Sequence, residues 1–404
     1  MILKNTSVTR NNFDDLILPF YKPSYFIPVK GQGSRIWDQE GKEYIDFSGG
    51  IAVTSLGHCH PILNKVLNYQ SKKIWHTSNI FTNEPSLRLA KKLILSSFAS
   101  YVFFANSGAE ANEAAFKLAR YYAAKKYHLK KNNIISFYNS FHGRTFFTVS
   151  VGGQAKYSDC FGPKPSGIQH AEFNKIESVR KLINKNTCAI VLELIQGEGG
   201  IIPASKPFLE ELRILCNKYN ALLIFDEVQT GIGRTGKLFA YEHYSIKPDI
   251  LTIAKSLGGG FPISAMLTTS EVKSVIKPGI HGTTYGGNPL ACAIAEATID
   301  IINTKEVLSG VQKKLSKIIF ELNIINERFK LFKEIRGMGL LVGIVLEQKF
   351  IKKIYEILYV SFLEGVIFLT AGNNVIRMAP SLIITEIDII EGMKRFCCAL
   401  EKIL

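Results

Sequence analysis

The chain has 404 residues, of which 47% are hydrophobic and 11% aromatic, so it is long enough for two domains or for one large domain with an appendage. A formal net charge of +15 would suit a nucleic acid or a membrane surface. Because the lysines are spread along the chain and no apolar run reaches the roughly 20 residues of a membrane span, we expect neither partner.

The first 60 residues predict an irregular segment followed by a β-hairpin, with strands at 34–38 and 43–47. Its first apolar run follows two aspartates, which is unlike a signal peptide. The seven cysteines have neither C-x-x-C nor zinc spacing, which favours a reducing, cytoplasmic compartment. His58, Cys59 and His60 are adjacent and point apart, so we expect a loop there and no metal site.

Helices and strands then alternate up to about residue 300. The predicted strands are residues 101–105, 133–137, 188–196, 221–225, 249–254 and 264–268, and the predicted helices include 61–75, 84–95 and 206–219. This alternation predicts a mostly parallel sheet with helices on both faces, in a large domain at 61–300. Residues 301–404 predict a smaller α+β domain with a long helix at 305–328, two or three strands and a terminal helix from 386. We expect the segment 1–60 to pack on this smaller domain.

An aspartate and a lysine stand directly after two of these apolar strands. Asp226 follows residues 221–225, and Lys255 follows residues 249–254 and precedes Ser256, Leu257 and three glycines. Lysines are rarely buried, but one placed between an apolar strand and glycines is expected to be buried and functional. A pyridoxal phosphate site needs such a pair, because the amine bonds to the cofactor aldehyde and the carboxylate keeps the pyridine nitrogen protonated.

Residues 231–237 also match two nucleotide-binding patterns, G-x-G-x-x-G and G-x-x-x-x-G-K. The first pattern should join a strand directly to a helix, but the five residues Asp226 to Thr230 intervene and a poor helix start follows. The second should continue with Ser or Thr to hold magnesium, and position 238 is Leu. We expect neither site, although a nucleotide-dependent enzyme and a non-catalytic oligomeric binding module remain rival hypotheses.

The stretches at 226–229 and 231–236, with Lys255 and its glycines, resemble the core of the class-III, ornithine-like pyridoxal phosphate aminotransferases. The resemblance extends from about Gly31 to the C-terminus and is strongest to the acetylornithine branch. It implies the fold type I architecture of pyridoxal phosphate-dependent transferases. This is an α/β fold with a large domain built on a mostly parallel sheet and a smaller α+β C-terminal domain.

The resemblance also implies which residues surround the pyridine ring. Lys255 would hold the cofactor and then shuttle a proton as general base and acid. Asp226 would pair with the ring nitrogen, and Gln229 would bond to the ring hydroxyl. Phe141 would stack on one face of the ring, with Val228 on the opposite face.

The helix start around Ser107 is the expected phosphate site. Ser107 and Glu110 have capping-box spacing, and the small residues Gly108 and Ala109 leave N–H groups at the positive helix end open to an anion. An ordinary capped helix has the same pattern, and the resemblance favours the phosphate-binding role. It also implies that Thr284 reaches the phosphate of the neighbouring subunit's cofactor, so we expect a homodimer.

Two arginines are the expected carboxylate binders, because a planar guanidinium suits a carboxylate. By resemblance, Arg144 holds the distal α-carboxylate of the donor, Arg377 holds a second carboxylate of 2-oxoglutarate, and Thr283 lies at the substrate. Glu198, on a glycine-rich turn, would neutralise Arg377 while the donor is bound; a solvated loop carboxylate is the alternative. Relatives commonly have Pro at the position of Leu194, a departure that we expect to affect rigidity rather than chemistry.

These features predict a transaminase that moves the terminal amino group of N-acetylornithine to 2-oxoglutarate, giving N-acetylglutamate semialdehyde and glutamate in arginine biosynthesis. N-succinyl-diaminopimelate is a second expected donor, in lysine biosynthesis. The sequence leaves open an ornithine or 4-aminobutyrate aminotransferase of the same family.

Overall fold

The computed structural model describes residues 8–24 and 26–404, so residues 1–7 and 25 of the predicted N-terminal segment lie outside the described residues. The strands are β1 (Pro28–Gln32), β2 (Arg35–Asp38), β3 (Glu43–Asp46), β4 (Tyr101–Ala105), β5 (Asn133–Phe137), β6 (Ile168–Ala171), β7 (Thr187–Glu193), β8 (Ile195–Gln196), β9 (Ile202–Pro203), β10 (Leu222–Asp226), β11 (Ile250–Ile253), β12 (Ser264–Thr268), β13 (Phe332–Met338), β14 (Leu341–Leu346), β15 (Val366–Ile367), β16 (Leu369–Ala371) and β17 (Val375–Met378).

The α-helices are α1 (Asn11–Leu16), α2 (Gly49–Ala52), α3 (Pro61–Ser71), α4 (Glu84–Leu95), α5 (Gly108–Lys126), α6 (Phe146–Val151), α7 (Ala155–Ser158), α8 (Ile176–Leu182), α9 (Lys206–Tyr219), α10 (Ser270–Lys273), α11 (Pro289–Ile302), α12 (Lys305–Phe329), α13 (Ile354–Leu363) and α14 (Glu386–Glu401). Within residues 8–24 and 26–404, no helix combines the length and apolar character needed to cross a lipid bilayer.

The central sheet has seven strands in the order β4-β12-β11-β10-β7-β5-β6. The pairs β11/β10, β10/β7, β7/β5 and β5/β6 are parallel, and β12 runs antiparallel to both of its neighbours. Side chains of β10 alternate between two apolar layers: Leu223 and Phe225 face the layer that contains α9, and Leu222 and Ile224 face the layer that contains α5. The predicted α/β fold, a mostly parallel sheet with helices on both faces, is confirmed.

The N-terminal hairpin is present, since β2 pairs antiparallel with β3. β3 pairs in parallel with the short strand β15, so the sheet β1-β2-β3-β15 joins the N-terminal segment to the C-terminal residues. A second sheet, in the order β13-β14-β17-β16, completes that region. The domain boundaries at residues 60 and 300 stay a prediction.

Three of the predicted elements differ in the structure. The strand expected at 188–196 ends at Glu193, and the chain resumes as β8, which pairs with β9 instead of the central sheet. The helix expected to reach residue 75 ends at Ser71, where the Trp75 indole N–H donates to the Ser71 carbonyl at 2.6 Å and satisfies a helix-end acceptor. The C-terminal region has five strands rather than two or three, because β15 and β16 are too short to show a period.

Candidate active site

The carboxyl ends of five strands meet at one edge of the central sheet, where ligands bind in open α/β folds. A cavity of about 460 Å³ opens there. Each of these strands leads into a predicted site residue that lines the cavity, and these residues are Ser107, Phe141, Glu198, Asp226 and Lys255.

Asp226 is the last residue of β10, and its side chain is 3% exposed. One carboxylate oxygen, Oδ2, accepts from Nδ2 of Asn112 at 2.7 Å and lies 2.8 Å from Nδ1 of His142. The other oxygen accepts from the backbone N–H of Val228 at 3.0 Å. Asn112 is fixed in turn by the hydroxyl of Thr252, which donates to its Oδ1 at 2.7 Å. These bonds hold the carboxylate in one orientation at the cavity floor.

The sequence prediction missed Asn112 and His142. His142 follows the predicted stacking residue Phe141, so its position in the chain was a usable signal. Asn112 lies one turn into α5, where a polar residue on an otherwise apolar face is the only trace of its role.

Lys255 follows β11 and begins a short 3₁₀ turn with a left-handed φ of 41°. Residues other than glycine rarely adopt this conformation, and strain of this kind concentrates at functional sites. The side chain is surrounded by protein but keeps access to the cavity. Burial, followed by the positive charge of Arg377, lowers the pKa of Lys255 to about 8. A lysine with this pKa has a substantial neutral fraction near neutral pH, so it can act as a nucleophile or base.

The amino end of α5 faces the cavity through Ser107, Gly108 and Ala109. The Ser107 hydroxyl caps the helix by accepting from the N–H of Glu110 at 3.2 Å. In a capping box the Glu110 carboxylate would accept from the N–H of Ser107. Here it accepts from the N–H of the preceding residue, Asn106, at 2.9 Å. Free N–H groups and the positive helix end remain directed at the cavity, as an anion site requires.

The residues expected around a ring also line the cavity. A Cβ at Gly108 would lie 2.7 Å from Cγ1 of Val228, so only glycine permits this approach of the helix end to Val228. Phe141 and Val228 both border the cavity. Gln229 is buried, and within the described part of the chain its Oε1 has no hydrogen-bond partner. An unsatisfied buried acceptor of this kind indicates a polar partner that the protein itself does not supply.

The substrate side of the cavity holds two arginines in different states. Arg377, on β17, is 4% exposed, and its guanidinium forms an ion pair with the Glu198 carboxylate. Arg144 is exposed at the cavity, and its guanidinium lies 4.1 Å from the ring centre of Tyr157. Across residues 8–24 and 26–404, no carboxylate pairs with Arg144. One cation is therefore neutralised and the other is open to an anion.

The two threonines lie outside this cavity. The Thr283 hydroxyl accepts from Nδ2 of Asn106 at 3.1 Å, which places it beside the amino end of α5. Thr284 is exposed and does not line the cavity of its own chain. The structure does not bring Thr284 together with the other predicted cofactor residues in one chain.

Glu193 and Tyr21 are among the other cavity residues that were not predicted. Glu193, the last residue of β7, is buried, and burial raises its pKa to about 7. Tyr21, in the N-terminal segment, reaches the same cavity. Neither has a local pattern that marks it, because Glu193 continues an apolar strand and Tyr21 lies in an irregular stretch.

The glycine-rich turn at 231–237 does not form a strand-to-helix junction. Arg234, in its middle, is fully buried and donates to the carbonyl oxygens of Leu340 and Pro380 and to the hydroxyl of Ser55. The turn therefore connects the N-terminal and C-terminal parts of the chain. A nucleotide-phosphate loop is excluded at this position.

The sequence profile of the family described as Aminotransferase class-III matches residues 19–400, so the chain belongs to the class-III aminotransferases. It is an aminotransferase of the pyridoxal phosphate fold type I.

Curated relatives and solved structures agree with this family. The chain is 76% identical over 404 residues to an acetylornithine/succinyldiaminopimelate aminotransferase of Buchnera aphidicola subsp. Acyrthosiphon pisum, covering 100% of the chain and 99% of that relative. It is 57% identical over 397 residues to a succinylornithine transaminase of Salmonella paratyphi B, covering 98% and 97%. A crystal structure of N-acetylornithine aminotransferase from Stenotrophomonas maltophilia superposes with a TM-score of 0.84 at 39% identity, covering 95% of this chain and 97% of that one.

The family implies pyridoxal phosphate, and the residues present fit it. The helix end at Gly108 suits a phosphate, the unsatisfied Oε1 of Gln229 suits a ring hydroxyl, and the fixed carboxylate of Asp226 suits a protonated ring nitrogen. Lys255 supplies the amine that would hold the aldehyde.

Proposed function

We propose that the chain transfers the terminal amino group of N-acetylornithine to 2-oxoglutarate, and that N-succinyl-diaminopimelate is a second donor. The activities for which these relatives are named, at 57% and 76% identity over nearly the whole chain, support this substrate class. The proposed products are N-acetylglutamate semialdehyde and glutamate. The proposal places the enzyme in the arginine and lysine pathways of the cytoplasm.

The observation that carries the proposal is the ion pair between Glu198 and Arg377 beside the open Arg144. A donor with a terminal amine needs one cation, for its distal carboxylate, whereas 2-oxoglutarate brings a second carboxylate towards the reacting carbon. In our proposal Arg144 binds the distal carboxylate of both partners. Glu198 neutralises Arg377 in the donor half-reaction and leaves it in the acceptor half-reaction.

Pyridoxal phosphate, when bound, supplies the electron sink that lets a carbon next to the amine lose a proton. Asp226, held in place by Asn112, His142 and the N–H of Val228, would pair with the ring nitrogen. Lys255 would hold the cofactor through its Nζ, and the same Nζ would accept and return the proton during transfer. Its pKa of about 8 suits it to both accept and return a proton near neutral pH.

We further propose that the active unit is a homodimer. Thr284 is exposed and lies outside the cavity of its own chain, as expected of a residue that acts on a neighbouring subunit.

A donor panel tests the substrate assignment. Initial rates with 2-oxoglutarate would be compared for N-acetylornithine, N-succinyl-diaminopimelate, N-succinylornithine, ornithine and 4-aminobutyrate. The proposal requires that the three acylated donors, N-acetylornithine, N-succinyl-diaminopimelate and N-succinylornithine, have higher kcat/KM than ornithine and 4-aminobutyrate. Higher kcat/KM for free ornithine or 4-aminobutyrate would reassign the substrate, and a colourless protein with no turnover would overturn the mechanism.

A further inference from the structure

Glu193 is a buried carboxylate that the proposed mechanism does not use. Its side chain lines the cavity at the end of β7 and is 6% exposed as a residue. Its Oε1 accepts from the backbone N–H of Phe141 at 2.9 Å, and its Oε2 accepts from the backbone N–H of Gly197 at 3.0 Å. One carboxylate therefore connects two separate loops.

The two loops carry different parts of the site. Phe141 is the residue expected to stack on the cofactor ring, and the loop that carries it also presents Arg144. Gly197 directly precedes Glu198, the partner of Arg377. Gly197 is also closely packed, because a Cβ there would lie 1.8 Å from Oε1 of Gln229. Glu193 thus fixes the start of the turn from which Glu198 must move.

The break between β7 and β8 makes this geometry possible. β7 ends at Glu193, and β8 leaves the central sheet to pair with β9. An uninterrupted strand would carry the chain straight past Glu193 and away from its carboxylate. The observed turn instead brings the N–H of Gly197 back to that carboxylate.

We propose that Glu193 is a positioning residue that ties the ring-stacking loop of Phe141 to the turn that carries Glu198, so that the two walls of the cavity keep a fixed separation while Glu198 exchanges partners. This inference rests on the proposed function for its kinetic consequence, but not for its structural one.

Protonation weakens this connection. The pKa of Glu193 is raised to about 7, mainly by burial; the negative charge of Asp226 contributes to the rise, whereas His142 and the two backbone N–H groups oppose it. Lys255 is a further charged group that interacts with Glu193. A carboxyl oxygen that carries a proton is a poor acceptor for an N–H, so protonation releases one of the two loops. The connection therefore weakens as the pH falls through about 7.

The first test is hydrogen exchange of the holoenzyme, measured by mass spectrometry on peptides that cover residues 138–146 and 194–200. In Glu193→Gln, one loop faces an amide NH₂ instead of an oxygen, and we expect its exchange to rise about tenfold. Glu227→Gln is the matched control. Glu227 is also a buried carboxylate with a raised pKa, and it accepts two backbone N–H groups, from Ala240 and Tyr241, away from the cavity loops. This control should leave exchange in both peptides unchanged.

The second test needs no variant. In the wild-type holoenzyme, exchange in these peptides, corrected for the intrinsic effect of pH, should be faster at pH 6 than at pH 8, because Glu193 is protonated at the lower pH. If exchange in both peptides is independent of pH and of Glu193→Gln, the proposal is wrong.

The third test is kinetic and separates positioning from general loss of stability. Glu193→Gln should weaken discrimination between glutamate and N-acetylornithine as donors, and it should have no further effect in a Glu198→Ala background. Equal effects in both backgrounds would show that Glu193 does not act through Glu198 and would overturn the proposal. If the wild type transaminates none of these donors, the proposed function fails, and the exchange results alone still decide the connection.

Discussion

Replacing Glu198 with alanine removes the carboxylate that pairs with Arg377. The Arg377 side chain is 4% exposed and that of Glu198 is 25% exposed. Removing one partner of a fully buried ion pair leaves an uncompensated charge, which costs about 3–5 kcal/mol of free energy. Because water reaches Glu198, we expect a smaller effect, of about 1–2 kcal/mol.

This energy would appear as altered donor choice. An unpaired Arg377 attracts the α-carboxylate of glutamate while it gives nothing to the carbon chain of N-acetylornithine. Since about 1.4 kcal/mol corresponds to a factor of ten, the ratio of kcat/KM for glutamate to that for N-acetylornithine should rise about 5- to 30-fold. Cofactor binding should be unchanged, because Glu198 is not among the residues expected to contact the cofactor.

Single-turnover measurements of each half-reaction would test this prediction. Glu198→Asp, which keeps the charge, is the control and should preserve more discrimination than Glu198→Ala. The gate model fails if Glu198→Ala slows the half-reactions of both donors and of 2-oxoglutarate by the same factor.

Four further variants or measurements follow from the site. Lys255→Ala should abolish turnover and leave the cofactor only non-covalently bound; appreciable transamination would refute the assignment of Lys255. Asp226→Ala should lose about 3–5 kcal/mol of stabilisation of the ring cation and be severely impaired, and near-normal kcat would move that role elsewhere. Arg377→Ala should chiefly raise KM for 2-oxoglutarate, with donor KM as the internal control. Dilution to the monomer should remove activity if Thr284 acts across a dimer, so a fully active monomer contradicts the dimer proposal.

The sequence predicted six of the seven strands of the central sheet, because these strands are apolar runs with clear ends; it missed β6, whose four residues include Gln169 and His170. It also located residues that directly follow such strands, including Asp226 and Lys255, because parallel strands place their carboxyl ends at one edge. Chain order alone was sufficient for these positions.

The residues that hold the site in place through hydrogen bonds were not predictable in the same way. Asn112 reaches Asp226 from a helix, and the contact depends on the rotation of α5 against the sheet. Glu193 ends a run that looks like one continuous strand, and only the departure of β8 to β9 reveals its two acceptor bonds. Such contacts join residues that are distant in sequence, and neither hydrophobic period nor turn chemistry encodes them.

The charges of the substrate gate also act on the catalytic amine. Burial and then the positive charge of Arg377 lower the pKa of Lys255, whereas the charges of Glu198 and Asp226 raise it. In the proposed acceptor half-reaction Glu198 would leave Arg377, and the carboxylate of the incoming acceptor would replace the charge that departs. The electrostatic environment of Lys255 would then be similar in the two half-reactions, although their substrates differ in charge. A single lysine can then transfer the proton in both directions near the same pH, which is what a transaminase that alternates between two substrates in one cavity requires.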